Sequence, residues 1–211
     1  MYPIMLKIDG RACLCIGGGE VAARKALFLF SCGARVTLIS PTLHDSLKPA
    51  VLAGEMTWLP KVWQPALWLD CDIVICATDS QTINYQCAAV AKEHGALVNV
   101  VDDEKASDFI MPAVAVVGNL MMAVGTGGTN PRLASVIRED LQERYAAVGV
   151  CEPALTSYRR TVRALLPRSS DRSVFWRKVL DQEMLQQMIR GEWNVAEEKI
   201  RSAISNVRIK L

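Results

Sequence analysis

Glycines at 17, 18 and 19, followed by Glu20, Val21 and Ala22, form a G-x-G-x-x-A string directly after an apolar strand and at the start of a helix. In that setting each small residue has a task in holding a pyrophosphate. Gly17 permits the tight turn, Gly19 lets the backbone approach the ligand, and Ala22 allows close helix–sheet packing. Free N–H groups at the helix start, with the helix dipole, then hold the phosphates. An acidic residue about 20 positions further on should meet the adenosine ribose, but Ile39-Ser40-Pro41-Thr42 is neutral. Ser40 or Thr42 can bond a ribose hydroxyl, yet neither carries a charge that separates NAD from NADP.

Further groups with chemical potential follow along the chain. Asp102 and Asp103 close a strand where an open α/β sheet places its ligand, so a carboxylate there can act as a general base or serve only as a turn residue. Thr78 and Asp79 end the preceding strand, with Asp79 expected to cap the next helix. Thr126-Gly127-Gly128-Thr129 offers backbone donors ahead of a helix capped by Asn130, a place for an anionic group. Between Arg159 and Lys178 stand seven basic residues (Arg159, Arg160, Arg163, Arg168, Arg172, Arg177, Lys178) and one acid. Such a run is a solvated face or a partner for carboxylates, which arginine grips bidentately. His44 and His94 fit a polar turn and a helix end, and no metal site is expected. The seven cysteines have no paired spacing, so they are expected to be reduced core thiols.

These groups need elements to position them. Arg11–Ile16, Ala34–Ile39, Met56–Leu59, Asp72–Ala77 and Leu97–Val101 read as strands, with helices over 20–32 and 79–94. Near-continuous apolar strands alternating with helices imply a doubly wound parallel α/β domain. Phe109–Val117 and Leu120–Val124 read as a hairpin around Gly118-Asn119. Pro131 then starts a helix with Leu133, Val136, Ile137 and Leu141 on one face. From Glu152 the chain is helical, broken at 167–170.

Composition narrows the class. With 51% hydrophobic and 22% charged residues in 211, disorder and low-complexity classes are excluded and a large core is available. No apolar run reaches the roughly 18 residues that span a bilayer. The first residues lack a signal-peptide layout, so a cytoplasmic protein is expected. Residues 1–150 carry 12 basic and 15 acidic side chains, net −3, and 151–211 carry 12 and 7, net +5. That basic end suggests an anionic partner.

Five motifs in order (Gly-Gly-Gly-Glu-Val-Ala-Ala-Arg-Lys at 17–25, Ala-Thr-Asp at 77–79, Asn-Val-Val-Asp at 99–102, Phe-Ile-Met-Pro at 109–112 and Gly-Gly-Thr-Asn-Pro at 127–131) cover essentially the whole chain. Together they resemble the precorrin-2 dehydrogenase/sirohydrochlorin ferrochelatase family, in its form without a methyltransferase half. The resemblance implies a Rossmann-like NAD-binding domain over 1–111, a small α+β dimerisation module over 112–148 and a helical tetrapyrrole-binding domain over 149–211. It implies oxidation of precorrin-2 to sirohydrochlorin with NAD, in many members followed by insertion of ferrous iron to give sirohaem; which type this chain is stays open. Gly17, Gly19, Glu20 and Val21 would hold the pyrophosphate, and Ser40, Pro41, Thr42 and Thr78 would line the rest of the cofactor. Asp102 would match the essential aspartate of both reactions. Thr126, Gly127, Gly128, Asn130, Arg159 and Arg163 would face the substrate's carboxylates. A homodimer is implied, with no nucleic acid and no membrane. The family's paired serines are replaced here by Gly125-Thr126, which puts control by phosphorylation in doubt. The other reading is a non-catalytic NAD(H)-sensing module acting through its basic end, although no DNA-reading motif is visible there.

Overall fold

Side chains of β1 (Ala12–Ile16) divide between two cores. Cys13 and Cys15 pack with Ala23, Ala26 and Leu29 of α1 (Glu20–Ser31). Leu14 and Ile16 pack on the other face with Cys87, Ala88 and Ala91 of α3 (Gln81–Glu93). A strand buried on both faces must be apolar throughout, so Cys-Leu-Cys-Ile is a run and not an alternation. The computed structural model describes residues 1–210, and the chain divides into two compact units, Met1–Met111 and Pro112–Leu211.

In the first unit β2 (Arg35–Ile39), β3 (Thr57–Leu59), β4 (Ile73–Cys76) and β5 (Leu97–Val100) join β1 in a parallel sheet. A short helix, α2 (Lys48–Leu52), precedes β3. The strand order is β3-β2-β1-β4-β5. The chain therefore winds outward in one direction from β1 and then returns to β4, and this reversal opens a crevice at the carboxyl ends of β1 and β4. This is the doubly wound α/β architecture expected. All seven cysteines are unbridged. Burial pushes Cys13 up to about 11 and Cys71 up to about 12, which leaves them as packed thiols at neutral pH.

The second unit begins with an antiparallel hairpin, β6 (Ala113–Val117) and β7 (Leu120–Val124). The first strand is shorter than the apolar run from Phe109 suggests. Phe109 and Met111 pack against the core of the first unit, and Pro112 has no N–H to give to a ladder. Helix α4 (Pro131–Arg144) packs on the hairpin, and Ala134 is its buried residue. Leu133, Val136 and Ile137 of the expected apolar face stay exposed at 47%, 44% and 37%. Helix α5 (Ala146–Leu165) is continuous across residue 148, so a boundary between 148 and 149 falls inside it. Its early Gly149 lies against Val117 of the hairpin, where a Cβ would sit 2.4 Å from Cγ1. Its later Val162 packs with Phe175 of α6 (Ser169–Val179), Met184 of α7 (Gln182–Ile189) and Ile200 of α8 (Trp193–Lys210). Among the described residues no helix is long and apolar enough to cross a membrane.

Candidate functional site

The glycine turn follows β1 at the crevice. Gly17 has φ +119°, and a Cβ there would lie 2.2 Å from the Ala77 carbonyl oxygen after β4. Gly18 is equally confined on the other side, where an added Cβ would run into the Thr42 carbonyl oxygen. Its own carbonyl accepts from His44 N–H at 2.8 Å. Gly19 differs, with nothing within 4 Å of an added Cβ and no side chain capping the helix that starts there. The first N–H groups of α1, those of Glu20, Val21 and Ala22, are consequently left for a ligand. Glu20 and Val21 are exposed at this end, so they contribute through their backbone.

Beside this turn, Ser40 is buried and its hydroxyl donates to the Thr42 carbonyl at 2.7 Å. The Trp58 indole N–H in turn donates to the Ser40 carbonyl at 3.0 Å. Ser40 therefore shapes the loop from inside, and Pro41 and Thr42 are its exposed members. At the end of β4, Thr78 N–H donates to Asn84 Oδ1 at 3.1 Å, and Asn84 Nδ2 returns a bond to the Thr78 carbonyl at 2.9 Å. The α3 cap is Ser80, whose hydroxyl accepts from Ile83 N–H, and not Asp79. Ser80 sits one residue closer to the first turn, which is the reach a cap needs.

Asn84 carries no motif that singles it out in the sequence, although it occupies the apolar face of α3 with Cys87, Ala88 and Ala91. A polar residue continuing an apolar stripe is the available signal. Replacing Asn84 by leucine is expected to cost about 2 kcal/mol, because Thr78 loses partners for both backbone groups. It should also weaken dinucleotide binding. Chemical denaturation and an NADH titration would check the two effects, and unchanged values in both would refute the clamp.

The two aspartates after β5 separate clearly. Asp103 is a turn residue. It accepts from the Tyr85 hydroxyl at 2.7 Å and from Ala106 N–H at 3.0 Å, and these partners hold its carboxyl below the usual range. Asp102 is exposed, its carboxylate makes no hydrogen bond or ion pair among the described residues, and it is the non-glycine residue with positive φ, at 60°. The loop carrying it is tied back to β5. Val98 N–H donates to Asp108 Oδ2 at 3.0 Å and Val100 N–H to Ser107 Oγ at 2.9 Å.

Beneath this loop, Lys25 of α1 donates to Asn99 Oδ1 at 3.0 Å, while Asn99 Nδ2 donates to the Phe109 carbonyl at 2.9 Å. Burial pushes the Lys25 pKa down and Arg24 adds to it, with Cys15 and Asp102 opposing. The buried polar side chains among the described residues are Ser40, Asn84 and Asn99. Each brings a polar group to the carboxyl edge of the sheet, after β2, β4 and on β5, respectively. Burying such groups is costly unless they are bonded, and here they shape one rim.

In the second unit the Thr126 hydroxyl accepts from Asn130 N–H at 3.2 Å, and Asn130 Oδ1 accepts from Leu133 N–H at 2.9 Å to cap α4. Gly127 and Gly128 have φ +63° and +77°. Arg159 and Arg163 line a different feature, a cavity between α5 and α6. Among the described residues no group of three or more His, Cys, Asp or Glu is arranged to hold a metal ion. The first unit does fit a dinucleotide: the cradle is open at Gly19, closed at Gly17 and Gly18, and edged by uncapped N–H groups.

Residues 4–113 match the family described as putative NAD(P)-binding, and residues 154–204 match the sirohaem synthase dimerisation region. A sirohaem synthase from Chromobacterium violaceum is 37% identical over 97% of this chain and 44% of its own length. Siroheme synthase 1 of Aeromonas salmonicida is 35% identical over 90% of this chain and 41% of its own. The chain thus spans under half the length of these relatives. Among solved structures, SirC, a precorrin-2 dehydrogenase, superposes with a TM-score of 0.78 at 24% identity, covering 99% of both chains; at that identity it speaks for the fold.

Proposed function

The chain belongs to the putative NAD(P)-binding family, and from that membership we propose that it is a dehydrogenase that oxidises precorrin-2 to sirohydrochlorin with NAD. The observation that carries this reading is a single sheet edge bearing both an open pyrophosphate cradle at Gly17–Gly19 and an unpaired carboxylate, Asp102, in a left-handed conformation. The motif resemblance and the names of the sirohaem synthases support this substrate. Backbone strain at such a place marks a site where position has been favoured over local comfort.

Bound NAD supplies a nicotinamide that accepts two electrons with one hydrogen. The chain's own residues do the remainder. Gly17, Gly19 and the N–H groups of Glu20 and Val21 hold the pyrophosphate, Pro41 and Thr42 meet the adenosine end, and Thr78 is set against the cofactor by Asn84. Asp102 accepts the proton that the substrate releases as its ring system becomes conjugated. Thr126, Gly127, Gly128 and Asn130, with Arg159 and Arg163, meet its carboxylates.

Ferrochelation is the second reading, favoured by the same carboxylate. Fe²⁺ is then a substrate, and Asp102 removes protons from pyrrole nitrogens as it enters. The exposed apolar residues Leu133, Val136, Ile137, Val116 and Met121 support a homodimer, since a patch of this kind needs a partner. Seven unbridged thiols suit a reducing, cytoplasmic compartment.

Anaerobic incubation with enzymatically generated precorrin-2 and NAD should give the sirohydrochlorin absorbance, and added Fe²⁺ then tests for sirohaem against a metal-only control. No oxidation with NAD or NADP would overturn the dehydrogenase reading and leave a binding-only, NAD(H)-sensing module.

A further inference from the structure

The loop after β2 brings no carboxylate to the adenosine ribose, since Ser40, Pro41 and Thr42 are neutral. In a dinucleotide fold an acid at this place bonds the 2′-hydroxyl of NAD, whereas a cation accommodates the 2′-phosphate of NADP. Here the charge comes from the neighbouring strand. Pairing of β2 with β3 sets Ile39 beside Leu59. The Leu59 carbonyl then accepts from Ser40 N–H at 3.2 Å and from Lys61 N–H at 2.8 Å. One acceptor thus fixes the backbone of Lys61 beside the start of the ribose loop. Trp63, two residues further on, is buried with Ile16, Ile39 and Cys76, so the segment carrying Lys61 is anchored at both ends. The lysine side chain is exposed, and its ammonium makes no hydrogen bond or ion pair among the described residues.

His44 bounds the same loop on the side of the glycine turn. Its N–H donates to the Gly18 carbonyl at 2.8 Å, and its ring Nδ1 accepts from Ser46 N–H at 3.3 Å. A backbone N–H can only donate, so the neutral ring carries its proton on Nε2, which is left to face a ligand. The acid of this loop, Asp45, is taken by Lys48 at 2.6 Å. The loop therefore offers an unpaired cation and an N–H donor while its own carboxylate is matched. An ammonium on a flexible stem suits a phosphate at an exposed edge. We propose that the adenosine end of this site takes the 2′-phosphate of NADP as well as the free hydroxyl of NAD, with Lys61 reading the phosphate and His44 as its second donor. The inference rests on the dinucleotide part of the reading above and adds which nucleotides the cradle accepts.

The test titrates the full chain with NADPH and with NADH, in the absence of substrate, and follows nucleotide fluorescence. The two dissociation constants should lie within about tenfold of each other, and added NaCl should weaken NADPH binding more steeply than NADH binding. Lys61→Gln should lower the ratio of NADPH to NADH affinity about tenfold, the worth of one charge-assisted hydrogen bond. Lys61→Arg should keep that ratio. His44→Asn, which retains an acceptor for Ser46 N–H, should lower it by a smaller factor. The proposal is overturned if NADPH binds the parent chain more than about tenfold more weakly than NADH. It is equally overturned if Lys61→Gln leaves the ratio unchanged, as a purely structural lysine would. Failure of both nucleotides to bind would overturn the cradle and this inference together. Lysine-dependent NADPH binding in a protein that oxidises nothing would overturn the dehydrogenase reading alone and leave this inference standing.

Discussion

Asp102→Asn is expected to lower the rate of precorrin-2 oxidation by about a hundredfold to ten-thousandfold, the usual loss when a positioned general base is removed. The fold and NADH affinity should stay intact. Asparagine has the shape of aspartate and shares its tolerance of the left-handed region, so the backbone at φ 60° is preserved. The carboxylate makes no hydrogen bond that stability depends on, unlike its neighbour Asp103, which holds Tyr85 and Ala106. Asp103→Asn should therefore show the opposite pattern, a loss in stability with catalysis less affected. Stopped-flow absorbance on the two variants, with thermal denaturation alongside, separates them. Near-normal turnover in Asp102→Asn would remove this residue from the chemistry.

The second large effect distinguishes the glycines of the cradle. Gly17→Ala places a Cβ 2.2 Å from the Ala77 carbonyl oxygen and asks alanine to hold φ +119°. Overpacking against backbone and a disfavoured φ together cost about 4 kcal/mol, a large part of a domain's net stability. That variant should unfold at a much lower temperature or fail to accumulate. Gly19→Ala meets nothing within 4 Å, so it should fold with nearly unchanged stability. Its methyl group instead points into space a pyrophosphate would need, and NADH affinity should fall sharply. Equal stability in the two variants would show that the turn between β1 and α1 yields more easily than its close approach implies. Unchanged NADH binding in Gly19→Ala would place the phosphates elsewhere.

What the residues alone revealed was local. The strands announced themselves as apolar runs because both of their faces are covered, and the glycine string was legible because its turn lies within six residues. Asn130 and Pro131 marked the start of α4 for the same reason, since a cap acts on the N–H groups that follow it. Asp79 illustrates the margin of error: Ser80, its immediate neighbour, was the better placed cap. The resemblance to a known family added order to these pieces, and it singled out Asp102.

The tertiary structure decided what depends on residues far apart in the chain. Spacing alone leaves Asp102 and Asp103 equivalent, and the packing of Tyr85 and Ala106 onto Asp103 assigns that residue to the turn. Lys25 and Asn99 are 74 residues apart, yet they share a bond under the same loop. Arg159, Arg163 and Arg172 read as one basic run, whereas the fold puts them around a cavity and leaves two of them unpaired. Hydrophobic periodicity reports which face is buried, a property of one segment. Which polar groups meet at an edge is a property of several segments, and it exists only after the sheet has assembled.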